Sequence, residues 1–476
     1  MISSVATFWA HKQSGAITAL ALLSLQDRIA NALVSYARYL GKMVWPAHLA
    51  VPYPHPWQWP LGWVVLAAAL VSGLSLAAVG LGRRRGYVFV GWFWFMGMLV
   101  PVIGVVQWGL HAMADRFTYM PLIGPFIIVA WAVGEVVENG RASKWLTGGA
   151  VMLVLGACAV RTRQQLQYWQ NSEKLFGHAL AVTDNNIVAM NNVGVVLFDQ
   201  GRVEEAMDYF ERALRVEPEF KRVEKAAVGL GVKRGAEQGN DSRRAVVVNP
   251  ARMDALFNMG NALAGRGQYA KAVDYFAAVL RIEPNEHQTL NNLANSLVKL
   301  GRLDEAITNY ELAIRLKPDG AKAHKGLAAA LTAQGKVDPA IVHYQQALLL
   351  EPNDASAHYA LGIALAVRGK WEEAVRQYRE ALRLSPNNPE AEYNLGYALR
   401  VQSRLDEALI HLGKAVQLRP EFPLAHYNLG WVLAQRGQRE EAVAHLREAL
   451  RLKPDYEEAS RELQGLRASP KNENRK

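Results

Sequence analysis

The sequence predicts an all-helical chain in two parts, a set of polytopic membrane helices followed by an α-solenoid of short repeats. Three observations carry that prediction: apolar runs crowd residues 61–165, prolines recur every 34 residues from Pro284 to Pro454, and positive charge is unevenly shared between the two regions. Residues 1–165 carry 12 Lys and Arg against 4 Asp and Glu, whereas the remainder carries 41 against 39, so 8 of the net +10 charges belong to the apolar part. A basic excess confined to short loops between apolar runs is what membrane topology leaves, because Lys and Arg are retained on the cytoplasmic side. It is not the footprint of a nucleic-acid domain, in which basic side chains gather on one folded face, and no nucleic-acid partner is expected. The bilayer is. Eleven of the 13 Trp precede residue 170, at the ends of the apolar runs where an indole prefers the headgroup level. The single cysteine, Cys158, excludes an intrachain disulfide and a cysteine-based zinc site.

Residues 1–60 read as part of an outer loop. The run at 15–25 is only about half a membrane span, and no early basic cluster or clean cleavage site marks a signal peptide. From 28 to 45, Ile29, Leu33, Tyr36, Leu40 and Val44 recur at threes and fours, with Asn31, Ser35, Arg38 and Lys42 on the other side. This periodicity predicts an amphipathic helix along the membrane interface, although a helix packed on a neighbour shows the same pattern. The Pro-rich stretch 51–60 ends it.

Four apolar runs follow within residues 61–165, at about 61–81, 87–108, 117–137 and 145–160, each near the roughly 20 residues that cross the hydrocarbon core, the last one short. Four spans are expected. Their connections are Arg83-Arg84-Arg85, then residues 111–116, then 138–144, and the basic bias places the first and third in the cytoplasm. The second loop and everything after Arg161 then lie outside. Arg161 and Arg163 argue the other way, but the arginine triplet is the stronger signal.

Beyond residue 170 the period is 34, and the prolines 284, 318, 352, 386, 420 and 454 mark it. In register with them stand Ala272, Ala306, Ala340, Ala374, Ala408 and Ala442, and four residues later Phe276, Tyr310, Tyr344, Tyr378, Leu412 and Leu446. Small residues let two antiparallel helices approach, the larger ones fill the groove, and proline stops the second helix. Residues 170–467 therefore read as a tetratricopeptide-repeat α-solenoid. Seven sound repeats are expected, with a leading half-repeat at 171–184, a degenerate repeat at 219–252 and a polar capping helix at 456–466. The degenerate stretch loses the period, since Pro218 and Pro250 are 32 apart, and residues 468–476 read as a disordered tail.

A solenoid cannot bury its concave face, which is the usual binding surface and here offers two ladders to an extended chain. Asn192, Asn258, Asn292, Asn394 and Asn428 hold one position in five first helices, although Asn is a mediocre residue for a helix interior. Their amides can donate to and accept from a peptide backbone, or equally bond the adjoining repeat. Tyr359, Tyr393 and Tyr427, with Tyr397 and Trp431 one turn on, give the last three repeats an aromatic surface that offers large contact area at low entropic cost. Packing between helices is the competing reading. His324, His358 and His426 share a register but lie in different repeats, too far apart for one metal ion, and read as packing residues.

In the apolar part the sequence His111-Ala-Met-Ala-Asp115-Arg116 precedes a span. Ionisable residues so placed are costly unless used. Arg116 can hold a lipid phosphate bidentately, with Asp115 and His111 beside it, or the group marks the end of a span. No Walker loop, zinc helix or nucleophile elbow occurs, and no residue is assigned a catalytic role.

Three segments point to one family: Tyr39-Leu-Gly-Lys-Met-Val-Trp-Pro-Ala-His-Leu-Ala-Val-Pro-Tyr-Pro-His-Pro56, Ala114-Asp-Arg-Phe-Thr-Tyr-Met-Pro-Leu-Ile-Gly124 and Tyr168-Trp-Gln-Asn-Ser-Glu-Lys-Leu-Phe176. Together with the repeats they resemble the transmembrane and tetratricopeptide-repeat O-mannosyltransferases and their bacterial relatives, C-type glycosyltransferases. The resemblance implies transfer of sugar from a polyprenyl-phosphate carrier to a polypeptide acceptor held by the repeats. It also implies an integral protein of the bacterial inner membrane with the repeats on the periplasmic side. In that family the acidic residues that bind metal or act as base lie in an early outer loop, and no position here matches them. The expected function is thus the acceptor-binding and partial membrane module of such an enzyme, not competent alone, with a need for divalent metal left undetermined. The rival is a membrane-tethered scaffold without sugar chemistry.

Overall fold

The computed structural model describes residues 25–44, 49, 53–54, 59–100, 111–113, 120–140, 143–216 and 250–468. The chain divides into two compact units, Met1–Arg266 and Gly267–Lys476. Among the described residues it is helical apart from one short strand pair. The all-α expectation holds.

The first unit begins with α1 (Leu25–Val44), α2 (Leu61–Gly82), α3 (Gly86–Leu99), α4 (Ile123–Glu138) and α5 (Lys144–Leu166). Two of the four expected spans form helices long and apolar enough to cross a membrane. These are α2, with 22 residues and mean hydropathy 2.4, and α5 continued by a 3-10 turn to Trp169, with 26 residues and mean hydropathy 1.4. No residue of α5 is buried, and Leu146 and Leu153 are about three-quarters exposed, so its apolar surface has almost no protein to cover it. The other two runs appear as shorter helices, α3 with 14 residues and α4 with 16, and the rest of those runs, 101–108 and 117–119, lies outside the described residues.

Helices α3 and α4 cross at a glycine pair. A Cβ on Gly91 would meet the Gly124 carbonyl oxygen at 2.5 Å, so only hydrogens let the two backbones touch there. Stacking of Tyr87 on Trp131 and an Arg85–Glu135 ion pair of 2.8 Å close the same crossing. Arg85 ends the arginine triplet and Glu135 lies just before the third loop, so two loops expected on one side of the membrane are neighbours. The two expected on the opposite side also meet. Strand β1 (Tyr53–Pro54) pairs antiparallel with β2 (His111–Met113), with Tyr53 opposite Met113 and Pro54 opposite His111.

Helix α1 packs on α2, the second of its two expected readings, and buries residues of both sides of the pattern: Asn31 and Ser35 are fully buried and Tyr36 is buried, while Ile29 is 48% exposed. Asn31 tolerates burial because the Trp59 indole N–H donates to its Oδ1 at 3.1 Å, and the Tyr36 hydroxyl donates to the Met96 carbonyl at 2.6 Å.

The repeats begin in the first unit with the half-repeat α6 (Ser172–Val182), the hairpin α7 (Ile187–Asp199) and α8 (Val203–Arg215), and α9 (Pro250–Gly265). Helix α9 packs directly on α7 and α8, as each first helix packs on the repeat before it. The Asn191 side-chain amide donates to the Ala251 carbonyl at 2.5 Å and Arg252 to the Val216 carbonyl at 3.2 Å. Of the degenerate repeat expected at 219–252, Pro250, Ala251 and Arg252 belong to α9, and 219–249 lies outside the described residues.

The second unit holds α10 (Tyr269–Ile282), then the hairpins α11 (His287–Lys299) with α12 (Leu303–Leu316), α13 (Ala321–Ala333) with α14 (Val337–Leu350), α15 (Ala355–Val367) with α16 (Trp371–Leu384), α17 (Pro389–Val401) with α18 (Leu405–Leu418), and α19 (Pro423–Gln435) with α20 (Arg439–Leu452). Helix α21 (Glu457–Ala468) caps them, and the tail beyond it lies outside the described residues. The alanines expected at the helix contact, Ala306, Ala340, Ala374, Ala408 and Ala442, are all fully buried. Opposite them the first helices carry a small residue, Ala294 and Ala328 and then Gly362, Gly396 and Gly430. A Cβ on Gly362 would lie 2.5 Å from the Tyr378 ring, and one on Gly396 2.7 Å from Leu412. Between the helices of each hairpin a residue turns left-handed, with φ of +73° to +78° at Gly301, Gly335, Gly369 and Gly437. The next N–H then closes back on the first helix, as from Arg302 to Leu297, Lys336 to Leu331, Lys370 to Leu365 and Arg404 to Leu399, each at 2.9 Å.

Ser403 breaks that series, since it holds φ at +60° in a region that costs a residue bearing a Cβ roughly 1–2 kcal/mol. Ser403→Gly is expected to stabilise the protein by about 0.5–1 kcal/mol after the extra chain entropy of glycine, read as a higher urea midpoint at unchanged slope. Gly362→Leu, which drives a side chain into Tyr378, should lower the midpoint in the same assay.

Candidate peptide-binding groove

Helices α15, α17 and α19 bring the aromatic ladder together. Tyr359, Tyr393 and Tyr427 occupy the same register and are each half-buried. Tyr393 lies 6.3 Å from the Tyr397 ring and 4.9 Å from that of Phe422, Tyr427 stands 5.0 Å from Tyr456 of the cap, and Trp371 meets Tyr397 edge-on at 6.1 Å. Burial pushes the Tyr393 phenol up to about 12 and raises those of Tyr359 and Tyr427, so all three stay protonated donors at neutral pH. One repeat earlier the same register holds Lys325, whose ammonium sits 2.5 Å from Asp354. The aromatic surface thus begins at Tyr359.

The two ladders interlock. Asn394 donates to the Tyr359 hydroxyl at 2.9 Å, and Asn428 makes a longer contact of 3.4 Å with Tyr393 while also donating to the Leu424 carbonyl at 2.8 Å. These asparagines tie each repeat to the one before it. Asn428 is 2% exposed, and its Oδ1 has no partner among the described residues. The ladder is not uniform elsewhere. Asn292 lies 3.5 Å from Asn291, and the first unit carries Asn192, which bonds its own helix at the Val188 carbonyl, and half-buried Asn258. Asp115 and Arg116 lie outside the described residues, and His111 is placed by its backbone alone, opposite Pro54. No group of three or more His, Cys, Asp or Glu among the described residues gathers as a metal site.

This groove stands on a tetratricopeptide-repeat scaffold. Models of that repeat match residues 187–220, 253–286, 294–402 in three overlapping segments, and 393–457. Part of the chain is homologous with the Tmtc proteins. It is 26% identical to "Protein O-mannosyl-transferase Tmtc2" of Drosophila melanogaster over 30% of this chain and 15% of that one. It is 32% identical to Tmtc3 of the same fly over 22% and 11%, and 26% identical to mouse TMTC1 over 41% and 22%. Each match takes in less than a quarter of the relative's own length. Among solved structures, YrrB, titled "a TPR protein with an unusual peptide-binding site", is 25% identical over 40% of this chain and 97% of that one, with a TM-score of 0.38. PilF of Pseudomonas aeruginosa is 19% identical over 45% and 96%, with a TM-score of 0.41.

A second row of polar residues escaped the sequence reading in part. Each first-helix histidine has a partner 19 residues on, across its own hairpin: His324 with His343 (Nδ1 to Nδ1, 3.1 Å), His358 with Gln377 (2.7 Å) and His426 with His445 (3.0 Å). Repeat α17–α18 reverses the order, with Glu392 facing His411 at 2.5 Å. The tautomers follow from the other ring nitrogen. Nε2 of His324 and His426 faces the carbonyl of Pro318 and Pro420, so it carries the proton and leaves Nδ1 to accept from the facing histidine, while Nε2 of His358 likewise faces the Pro352 carbonyl. The signal available in sequence was complementarity at a spacing of 19.

Burial, reinforced by the facing histidine and opposed by Glu311 in one pair and by Glu441 and Glu448 in the other, pulls His343 and His445 below the usual imidazole range. The unfolded chain therefore binds those protons more readily, so the stabilisation is complete above about pH 6.5 and is lost as the pH falls through the lowered values. The melting temperature should drop between pH 7 and pH 5. The double variant His343→Gln and His445→Gln, copying Gln377, should flatten that drop while leaving the pH 7 value nearly unchanged, as followed by circular dichroism.

Proposed function

We propose that the repeats hold an extended polypeptide acceptor for glycosyl transfer at a membrane, with mannose delivered on a polyprenyl-phosphate carrier. The observation that carries this reading is the aromatic groove of α15, α17 and α19 on a tetratricopeptide scaffold. The similarity to proteins named O-mannosyl-transferases supports the sugar and the acceptor class. Half-buried tyrosines with protonated hydroxyls bind a peptide backbone without demanding one sequence, because they offer area and a donor together.

In this reading the chain sits in the bacterial inner membrane through four spans with its repeats on the periplasmic side. The exposed apolar lengths of α2 and α5 and the adjacency of Arg85 and Glu135 support it. Arg116, with Asp115 and His111, would take the carrier phosphate at the outer surface, since a guanidinium matches that group bidentately. The residues that perform the chemistry are not assigned within this chain.

The test uses the full chain in lipid nanodiscs and a fluorescein-labelled, extended Ser/Thr-rich peptide. Tyr397→Ala with Trp431→Ala is expected to weaken binding at least tenfold, about 1.4 kcal/mol, with the melting temperature as control. Unchanged affinity would remove the groove from the reading. With radiolabelled mannosyl-phosphoryl-polyprenol offered to the disc, donor retained by the chain that falls with Arg116→Ala supports the carrier site. Peptide binding with no retention of the donor would leave a tethered scaffold as the better description.

A further inference from the structure

Arg400 departs from its own register. The equivalent position in α11, α13, α15 and α19 holds Val298, Thr332, Ala366 and Ala434, so repeat packing calls for a small neutral side chain there. Helix α17 instead places a guanidinium, with Cζ 5.1 Å from the centre of the Tyr397 ring and 4.6 Å from that of Trp431. Its Nε is buried and bonds nothing, and among the described residues the side chain makes no hydrogen bond or ion pair. Several other arginines of this unit behave differently. Arg368, Arg379, Arg404 and Arg419 each rest on a carboxylate, of Asp338, Glu407, Glu407 and Glu390 respectively. Glu458 and Glu462 of α21 are near enough to act on the phenol of Tyr427, yet neither pairs with Arg400.

A charge set among aromatic rings without a counter-ion is costly, and attraction to the rings offsets only part of that cost. Rings beside a guanidinium leave its N–H edge as the route to a ligand, and that edge matches a carboxylate bidentately. We propose that Arg400 is the carboxylate-recognition point of the groove, where a bound polypeptide presents an acidic side chain or its C-terminal carboxylate between Tyr397 and Trp431. This rests on the groove holding peptide, and adds which peptides it prefers. An uncharged extended segment fills the tyrosine surface alone. An acidic one also neutralises the half-buried cation.

The experiment measures fluorescence anisotropy of C-terminally amidated, fluorescein-labelled Ser/Thr peptides bound to the full chain in nanodiscs. One peptide carries two glutamates and its twin carries glutamines. The glutamate peptide is expected to bind at least tenfold tighter, and that ratio of the two affinities should fall to about one in Arg400→Met. Arg400→Lys should retain only part of it, because an ammonium lacks the fork. A glutamine peptide with a free C-terminus separates the two carboxylate sources: preference for it over its amidated form supports a terminal carboxylate. Equal binding of all the peptides to the unaltered chain would overturn the inference and leave the groove reading standing. Binding of none would overturn both.

Discussion

Everything in the repeat region depends on how closely two helices approach at one small residue. Where Gly362 faces Tyr378 or Gly396 faces Leu412 there is no room for a methyl group, and the fully buried alanine of each second helix keeps the other side equally tight. That contact fixes the angle of the hairpin, and the left-handed turn residue lets the chain reverse within it. Because a small residue stands at that contact in every repeat of the second unit, the exposed face of each first helix returns at a spacing of 34 residues. The tyrosine ladder follows from that repetition. An aromatic residue can be planted once per repeat and always reach the same line.

The period, the alanines, the aromatic positions and the capping helix were legible in the sequence because identical demands recur at identical spacing. What the sequence hid was complementarity. His324 and His343 are unlike in register and 19 apart, so a search for like residues at 34 passes over them. Arg400 was hidden for the opposite reason, since a residue that appears once in a ladder of small neighbours contributes no repeat signal. In α1 the periodicity left two readings open and did not show that part of the polar side is buried with Tyr36. Trp59 supplies the donor that lets Asn31 turn inward, and a partner 28 residues away leaves no mark on local periodicity. Both asparagines of the best-paired repeats were equally ambiguous. Only the geometry shows Asn394 reaching back to Tyr359.

The apolar region follows the same logic in the membrane reading proposed above. Lipid on the outside leaves little hydrophobic gain from helix contact, so close packing and polar closure carry it. Gly91 against Gly124 provides the first, and Arg85 with Glu135 the second. The 3-10 turn that ends α5 then hands the chain to the repeats through Tyr168, whose ring stacks 3.8 Å from that of His178 in α6. The first half-repeat is therefore keyed to the end of an apolar helix rather than hung from a loose tether.

The direct seating of α9 on α7 and α8 has a consequence for how such arrays change with time. Each unit of the array offers the next the same kind of surface, as the end of α8 offers α9 the Val216 carbonyl that Arg252 takes. Repeat number is then a variable decoupled from fold, because adding or removing a unit leaves unchanged the surface that the next one meets.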